Sequence, residues 1–268
     1  MPFAVLDAGA GAAATRLHYR SDGDPSRPCV VFSNSLGTDL SLWDAQAAAL
    51  APDYHVLRYD TRGHGASPAG GGPGDAGGIA RLGHDVLALL DGLGIARAAF
   101  CGISMGGLIG QWLAIHAPQR IERLVLANTA ASIGSPDAWR SRAALVRADG
   151  MDAVADGAAA RWFSPQFAAR EPDAVAHLVQ GLRAQDRHGY AACCEALAGA
   201  DLRSQVAAIA APTLVIAGAY DPVTTVADAD WLAAQIAGAQ TAVLPASHIS
   251  NVEAADAFTA SLRRFLAG

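Results

Sequence analysis

Residues 98–107 read Ala-Ala-Phe-Cys-Gly-Ile-Ser-Met-Gly-Gly. Ala98–Cys101 is an apolar run of strand length, and Met105–His116 beyond it has helical apolar spacing, so Gly102-Ile103-Ser104-Met105-Gly106 lies where a strand turns into a helix. Gly-x-Ser-x-Gly in that setting is a sharp, strained turn that lifts the serine hydroxyl out at the top of a sheet. Gly102 and Gly106 keep side chains out of the crowded turn, and Gly107 lets the helix pack close. The helix N-terminus, with the Met105 N–H foremost, is thereby presented to any oxyanion formed on a carbonyl attached to Ser104. Ser104 reads as a nucleophile; the five-residue pattern without its strand and helix would say little.

Outward from the elbow, further runs of strand length occur at Thr15–Tyr19, Cys29–Ser33, His55–Tyr59, Arg123–Ala127, Thr213–Ala217 and Thr241–Leu244, with an extra candidate at Phe3–Leu6. From Cys29 onward most are continuously apolar rather than alternating, as parallel strands covered on both faces are. Helical patterns at Ser41–Leu50, Ile79–Leu93, Thr225–Ile236 and Ala254–Leu266 fill the gaps. The alternation predicts an α/β fold with a mostly parallel sheet of about eight strands flanked by helices. Ser135–Gly199 breaks the rhythm with helical stretches at Pro136–Asp149, Met151–Arg161, Asp173–Ala184 and Gly189–Leu197 and no convincing strand. The expected organisation is therefore a core of residues 1–134 and 200–268 and a helical cap of residues 135–199, seated over the C-terminal edge of the sheet where such folds place ligands.

A serine hydroxyl needs a base, and the base an orienting acid. Of eight histidines, His248 lies just past a late strand, in Leu244-Pro245-Ala246-Ser247-His248, and Asp221 takes the corresponding place after the preceding strand. Asp221 also suits an N-cap for a helix near Thr224–Thr225. His64 competes as the base, since it too follows a strand, but its Arg62-Gly63-His64-Gly65 surroundings read as a tight loop that fixes backbone near the site. The loop after Cys29–Ser33, Asn34-Ser35-Leu36-Gly37-Thr38, offers the Leu36 N–H as a second oxyanion donor; the plainer reading is a turn made permissive by Gly37.

The chain has 268 residues, 52% hydrophobic and 16% charged, enough apolar surface for a large core and unlike a disordered acidic tail. Its 19 basic residues are all arginine against 25 acids, a net charge of -6 that disfavours nucleic acid as a partner. The first fifteen residues hold no basic residue to start a secretory signal, so a cytoplasmic location is expected. Ala207–Tyr220, the most apolar run, is interrupted by Pro212 and Gly218 and reads as a buried strand rather than a membrane span. Cys29, Cys101, Cys193 and Cys194 show no C-x-x-C spacing and read as reduced, structural thiols. Ala69–Gly78 is glycine-rich but lacks the phosphate-loop pattern, and is expected to be a surface loop.

Together these residues resemble the α/β-hydrolase superfamily over essentially the whole length, helical cap included. The phrases Ser33–Asp44 (SNSLGTDLSLWD), Asn128–Gly134 (NTAASIG), Gly189–Leu197 (GYAACCEAL) and Ser247–Glu253 (SHISNVE) are similar to those of the 3-oxoadipate enol-lactonases, beside the widely shared Arg58–Ser67 (RYDTRGHGAS) and Gly102–Gly107 (GISMGG). Many relatives carry His-Gly where this chain has Asn34-Ser35, a departure expected within the enol-lactonases. The resemblance implies a Ser104–His248–Asp221 triad, the residues the chain order selects, and neither metal nor organic cofactor. It also implies a small lactone substrate bearing a carboxylate. One of the cap arginines, Arg140, Arg142, Arg147, Arg161, Arg183 or Arg187, is expected to receive that carboxylate. Asn34, Ser35, Trp139, Arg161 and Trp162 are candidate pocket residues. A small-ester carboxylesterase or perhydrolase of the same fold, or a noncatalytic receptor built on it, are the alternatives.

Overall fold

A computed structural model describes residues 2–6, 15–70 and 77–268; most of the glycine-rich stretch, residues 71–76, lies outside the described residues, so the surface-loop expectation for Ala69–Gly78 is not addressed. In chain order the first strands are β1 (Phe3–Leu6), β2 (Thr15–Asp22) and β3 (Cys29–Ser33). A single 3-10 turn over Leu40–Trp43 then leads into α1 (Asp44–Leu50), where one helix from Ser41 was expected. The turn is tight because Asp39 accepts from Ser41 N–H while the buried Asp60 takes the Leu40 N–H at 2.7 Å. Next come β4 (His55–Tyr59), α2 (Gly78–Gly92), β5 (Ala98–Ile103), α3 (Met105–His116) and β6 (Ile121–Ala127).

Six helices follow before the sheet resumes: α4 (Pro136–Asp149), α5 (Asp152–Ala155), α6 (Ala158–Trp162), α7 (Pro165–Arg170), α8 (Pro172–Arg183) and α9 (Arg187–Ala198). Their starts are written locally: Ser135 and Ser164 each accept from a first-turn N–H with a proline at the first helical position, and Asp186 accepts from Gly189 N–H at 2.7 Å. The expected Met151–Arg161 helix is two pieces, α5 and α6, with Gly157 as the residue before α6; α7 went unread, although its Ser-Pro start is a legible signal. The chain ends with β7 (Thr213–Gly218), α10 (Val226–Gln235), β8 (Gln240–Leu244), α11 (Ser250–Glu253) and α12 (Ala255–Leu266).

The eight strands form one sheet in the order β1-β2-β4-β3-β5-β6-β7-β8. β1 and β2 pair antiparallel with each other, and β2 with β4; every later pairing is parallel. β3, β4, β5 and β7 are buried along their whole length, β4 with the polar His55 and Arg58 included, whereas β8 at the sheet edge is largely exposed. α3 is buried nearly all round, and α2 packs beside it; α1 packs with α12, whose Phe258, Leu262, Phe265 and Leu266 turn inward. In the core Phe32 stacks on Trp43 at a centroid distance of 4.6 Å, and Phe258 meets Trp43 in a tilted contact at 5.9 Å. Strand order reverses between β3 and β5, and at such a switch point the loops leaving the two strands part and open a crevice. The loop of Asn34–Thr38 and the Ser104 turn therefore lie side by side. No helix among the described residues is long and apolar enough to cross a membrane.

Candidate active site

Ser104 occupies the turn between β5 and α3 with φ 56° and ψ -115°, a conformation that costs a non-glycine residue about 1–3 kcal/mol. The surroundings hold it there. Ser104 N–H donates to Ala127 O at 2.9 Å, and its carbonyl accepts from Thr129 Oγ1 at 2.8 Å and from Gly107 N–H at 2.9 Å. A Cβ on Gly102 would sit 2.1 Å from the Gly106 carbonyl, and one on Gly106 2.3 Å from Ser33 O, so both positions admit only glycine. Gly106 N–H also donates to Asn34 O at 3.0 Å, which ties the loop after β3 to the start of α3. Among the described residues, no acceptor takes the N–H of Leu36 or of Met105.

His248 lies between β8 and α11, and its Nδ1 is 2.8 Å from Asp221 Oδ2, both groups being buried. An ionised carboxylate only accepts, so Nδ1 carries the proton and Nε2 holds the lone pair. Asp221 follows β7 and is held by four further donors. Asn128 Nδ2 and Thr224 Oγ1 reach Oδ2 at 2.9 and 2.8 Å, and the Val223 and Thr224 N–H groups reach Oδ1 at 2.7 and 3.1 Å. Burial alone would raise this carboxyl, but the hydrogen bond and charge of His248, with Asn128 and Val223, outweigh it and hold the pKa below the ordinary aspartate value. The helix near Thr224 is capped instead by Thr225, in a reciprocal box with Asp228, so Asp221 is not its N-cap.

Asn128 had no role in the sequence reading. It directly follows β6 with φ 42°, donates to Asp221 Oδ2 and to Ser247 O at 3.1 Å, and accepts from Ser250 Oγ. One side chain thus joins the loops that carry Asp221 and His248. Asparagine is among the few side chains that tolerate this left-handed backbone, and an Asn directly after an apolar strand was the available signal.

A cavity of about 280 Å³ is bordered by Ser104, His248, Ser35, Leu36, Pro222 and Val223 below and by Trp139, Arg142, Arg161, Trp162, Leu182 and Tyr190 from the helices above, with Ile133, Gly134 and Ala138 at the entry to α4. Of the candidate pocket residues, Ser35, Trp139, Arg161 and Trp162 border it and Asn34 does not. The Asn34 side chain is fully buried behind the site, donating to Tyr59 O at 2.8 Å and accepting from Trp43 Nε1 at 3.0 Å, so its expected place in the pocket is corrected to a structural one. Met105 does not border the cavity, and its side chain is buried in the core. His64 does not border the cavity either. It is buried, with Nδ1 3.2 Å from Arg62 O and Nε2 without a partner, and burial lowers its pKa.

The six candidate arginines of the cap separate cleanly. Arg140 pairs with Asp137, Arg147 with Glu195, Arg183 with Asp152 and Asp156, and Arg187 is exposed. Arg142 and Arg161 face the cavity and form no ion pair among the described residues. Arg142 stacks 4.8 Å from the Trp139 ring centroid, and Arg161 donates to Val154 O at 2.6 Å. Burial and then the charge of Arg142 lower the Arg161 pKa. Tyr190 beside them is pushed up to about 12 by burial. A larger hollow of about 450 Å³ lies beyond Ile133 and Gly134, but none of Ser104, Asp221 and His248 borders it. Among the described residues there is no cluster of three metal-ligating side chains. Cys193 and Cys194 are free and buried in α9, their thiols raised to about 12 by burial.

The family profile described as the alpha/beta hydrolase fold matches residues 28–255. The chain belongs to the α/β-hydrolase family. Among α/β hydrolases it is similar to 3-oxoadipate enol-lactonase 2 of Acinetobacter baylyi, with 53% identity over 93% of this chain and 94% of that protein. To 3-oxoadipate enol-lactonase 1 of the same organism it is 43% identical over 90% of each chain. The crystal structure of the enol-lactonase from Burkholderia xenovorans superposes with a TM-score of 0.94 at 49% identity, covering 100% of both chains. This α/β hydrolase thus shares with those proteins its fold and about half of its residues.

Proposed function

We infer that the protein hydrolyses 3-oxoadipate enol-lactone to 3-oxoadipate, a step in aromatic-compound degradation. The observation that carries this reading is the pair of guanidinium groups, Arg142 and Arg161, that face the Ser104–His248 cavity without a carboxylate of the protein to neutralise them. Two cations crowded at one cavity wall favour an anionic ligand, and a planar guanidinium suits a carboxylate. A neutral small ester, the alternative substrate, would leave both charges uncompensated. The similarity to the two Acinetobacter enol-lactonases supports the same choice.

In this mechanism Ser104 Oγ attacks the lactone carbonyl while His248 Nε2 takes its proton. The oxyanion is held by the Leu36 and Met105 N–H groups, the N-terminus of α3 adding its positive end. Collapse breaks the ring C–O bond and leaves Ser104 acylated. The expelled group is an enolate, a better leaving group than an alkoxide; it takes up the proton held on His248 Nε2 and becomes the ketone, which leaves the imidazole neutral again. His248 then removes a proton from water, the hydroxide attacks the acyl carbonyl, and the carboxylate product departs as Ser104 recovers its proton. Asp221 fixes the Nδ1–H tautomer throughout and stabilises the imidazolium.

On this reading residues 1–134 and 200–268 form the catalytic core and residues 135–199 the cap that supplies Arg142, Arg161 and the tryptophans. The four free cysteines suit the cytoplasm, where thiols stay reduced. The test is kcat/KM of wild type and Ser104→Ala on the enol-lactone and on p-nitrophenyl acetate. A strong preference for the lactone is expected, with kcat falling by about 10⁴-fold or more in Ser104→Ala. Equal or better turnover of the simple ester would discard the lactone, and substantial residual turnover in the variant would discard the nucleophile.

A further inference from the structure

Glu253 closes α11 five positions after His248, and every polar contact of its carboxylate goes to backbone or to a serine hydroxyl. Oε2 accepts from Ser247 N–H at 2.8 Å and from Ser164 N–H at 3.2 Å. Oε1 accepts from Ser164 N–H at 3.3 Å and from the Ser164 hydroxyl. On the other side of the histidine, Ile249 N–H donates to Trp162 O at 3.0 Å. Both neighbours of His248 are therefore tied to Trp162–Ser164, the segment that ends α6 and caps α7. Trp162 in that segment borders the cavity, as does Arg161 before it.

We propose that Glu253 is a positioning residue that couples the seating of the cap over the cavity to the placement of His248. The proposal rests on the reading of His248 as the base. A carboxylate is suited to this because it only accepts, and here its two oxygens gather donors from both sides of the cleft. Glutamine has the same shape but would turn an NH2 group toward one of those donors, so an isosteric change breaks the clasp. Glu253 forms no ion pair among the described residues, and no other anion takes the Ser247 and Ser164 N–H groups. A ligand pressed against Trp162 and Arg161 thereby bears on the segment that holds the histidine loop. Asn128, accepting from Ser250 and donating to Ser247 O, anchors the same loop to the core. His248 is thus fixed from below by Asn128 and from above, through Glu253, by the cap.

The experiment compares Glu253→Gln, Ser164→Ala and the double variant with wild type and Ser104→Ala. It measures kcat and KM on the enol-lactone, the rate at which diisopropyl fluorophosphate labels Ser104, and the thermal midpoint. The labelling reagent is small and reports how well Ser104 is activated. Glu253→Gln is expected to lower kcat and the labelling rate by about tenfold with KM within about twofold, a part of the ~100-fold that an ångström of misplacement can cost. Ser164→Ala, which removes one hydroxyl, is expected to lower both rates about threefold, and the double variant to be no slower than Glu253→Gln, because both act through one clasp. A purely structural role would lower the thermal midpoint and leave both rates of the folded enzyme unchanged. That result, or rate effects of the two substitutions that multiply, overturns the proposal while leaving an inactive Ser104→Ala to uphold the triad. Full turnover in Ser104→Ala overturns the triad reading and the positioning role with it.

Discussion

At the residue scale the site is a set of local conflicts resolved by neighbours. Ser104 is held at positive φ by bonds from β6 and α3, and Asn128 is held at positive φ while its amide bridges Asp221 and Ser247. Such positions persist only where surrounding contacts over-determine them, and they concentrate at functional sites. Arg142 and Arg161 are the other cost, two like charges at one wall, the second partly desolvated. If a substrate carboxylate offsets that repulsion, Arg142→Met should lower the selectivity for the enol-lactone over p-nitrophenyl acetate by about tenfold or more, mainly through KM of the lactone. Steady-state kinetics on both substrates checks this, and unchanged selectivity would move the carboxylate elsewhere. The carboxylate that the enol-lactonase resemblance implies called for a cap arginine, with six candidates. The choice was made by packing, which pairs Arg140, Arg147 and Arg183 with carboxylates of the cap itself and leaves Arg187 exposed.

At the element scale the cap meets the core where backbone touches backbone. Gly63, in the loop after β4, and Gly189, in the first turn of α9, approach so closely that a Cβ on Gly189 would lie 2.5 Å from Gly63 Cα. Gly65 N–H donates to Gln185 Oε1 at 2.7 Å, and Cys193 Sγ lies 3.8 Å from Arg62 O along the same seam. The Arg-Gly-His-Gly loop therefore seats α9, and α9 carries Tyr190 to the cavity wall. Gly189→Ala should force the seam apart, lowering stability by about 1–3 kcal/mol and raising KM for the lactone. Urea unfolding and steady-state kinetics of the one variant report both effects; a wild-type midpoint would show that the seam yields without cost. Helix starts such as Ser135-Pro136 and Ser164-Pro165 were written in the chain, whereas the break of Met151–Arg161 into α5 and α6 was not legible from periodicity, because the apolar spacing runs through it.

At the scale of the whole molecule, buried titratable groups tie stability to pH. His64 and His55 both have pKa values lowered by burial, and Asp221 is lowered by its partners. Each therefore binds protons less readily folded than unfolded. The stability each contributes is full above its unfolded-state pKa and is lost as pH falls through the folded-state value. The protein should accordingly lose stability from neutral pH downward, first through the histidines and then through Asp221. His64 has the Nδ1–H to donate to Arg62 O and an unpartnered Nε2, so its protonation places a cation in a closed site. His64→Asn keeps a donor near Nδ1 and removes the titration, and should reduce the drop in urea midpoint between pH 7 and pH 5. An undiminished drop would assign the acid sensitivity to other groups.

The strands, the elbow and the chain order Ser104, Asp221, His248 were legible from the residues alone, because they rest on signals that local geometry imposes. Continuous apolar runs demand burial on both faces, a Gly-x-Ser-x-Gly turn demands missing side chains, and a parallel sheet puts every strand's C-terminal loop on one edge. Legibility ended where a side chain's role depends on residues distant in the chain. Asn34 and Ser35 are adjacent, yet Ser35 borders the cavity while Asn34 bonds to Tyr59 and Trp43 behind it. Arg142 and Arg161 were indistinguishable from the four other candidate arginines until packing assigned carboxylates to three of those and left Arg187 in solvent. Asn128 and Glu253 have no motif of their own, since each matters for the two loops it joins. Those contacts span 119 residues between Asn128 and Ser247 and 89 between Ser164 and Glu253, separations over which only the closed fold decides which donor meets which acceptor.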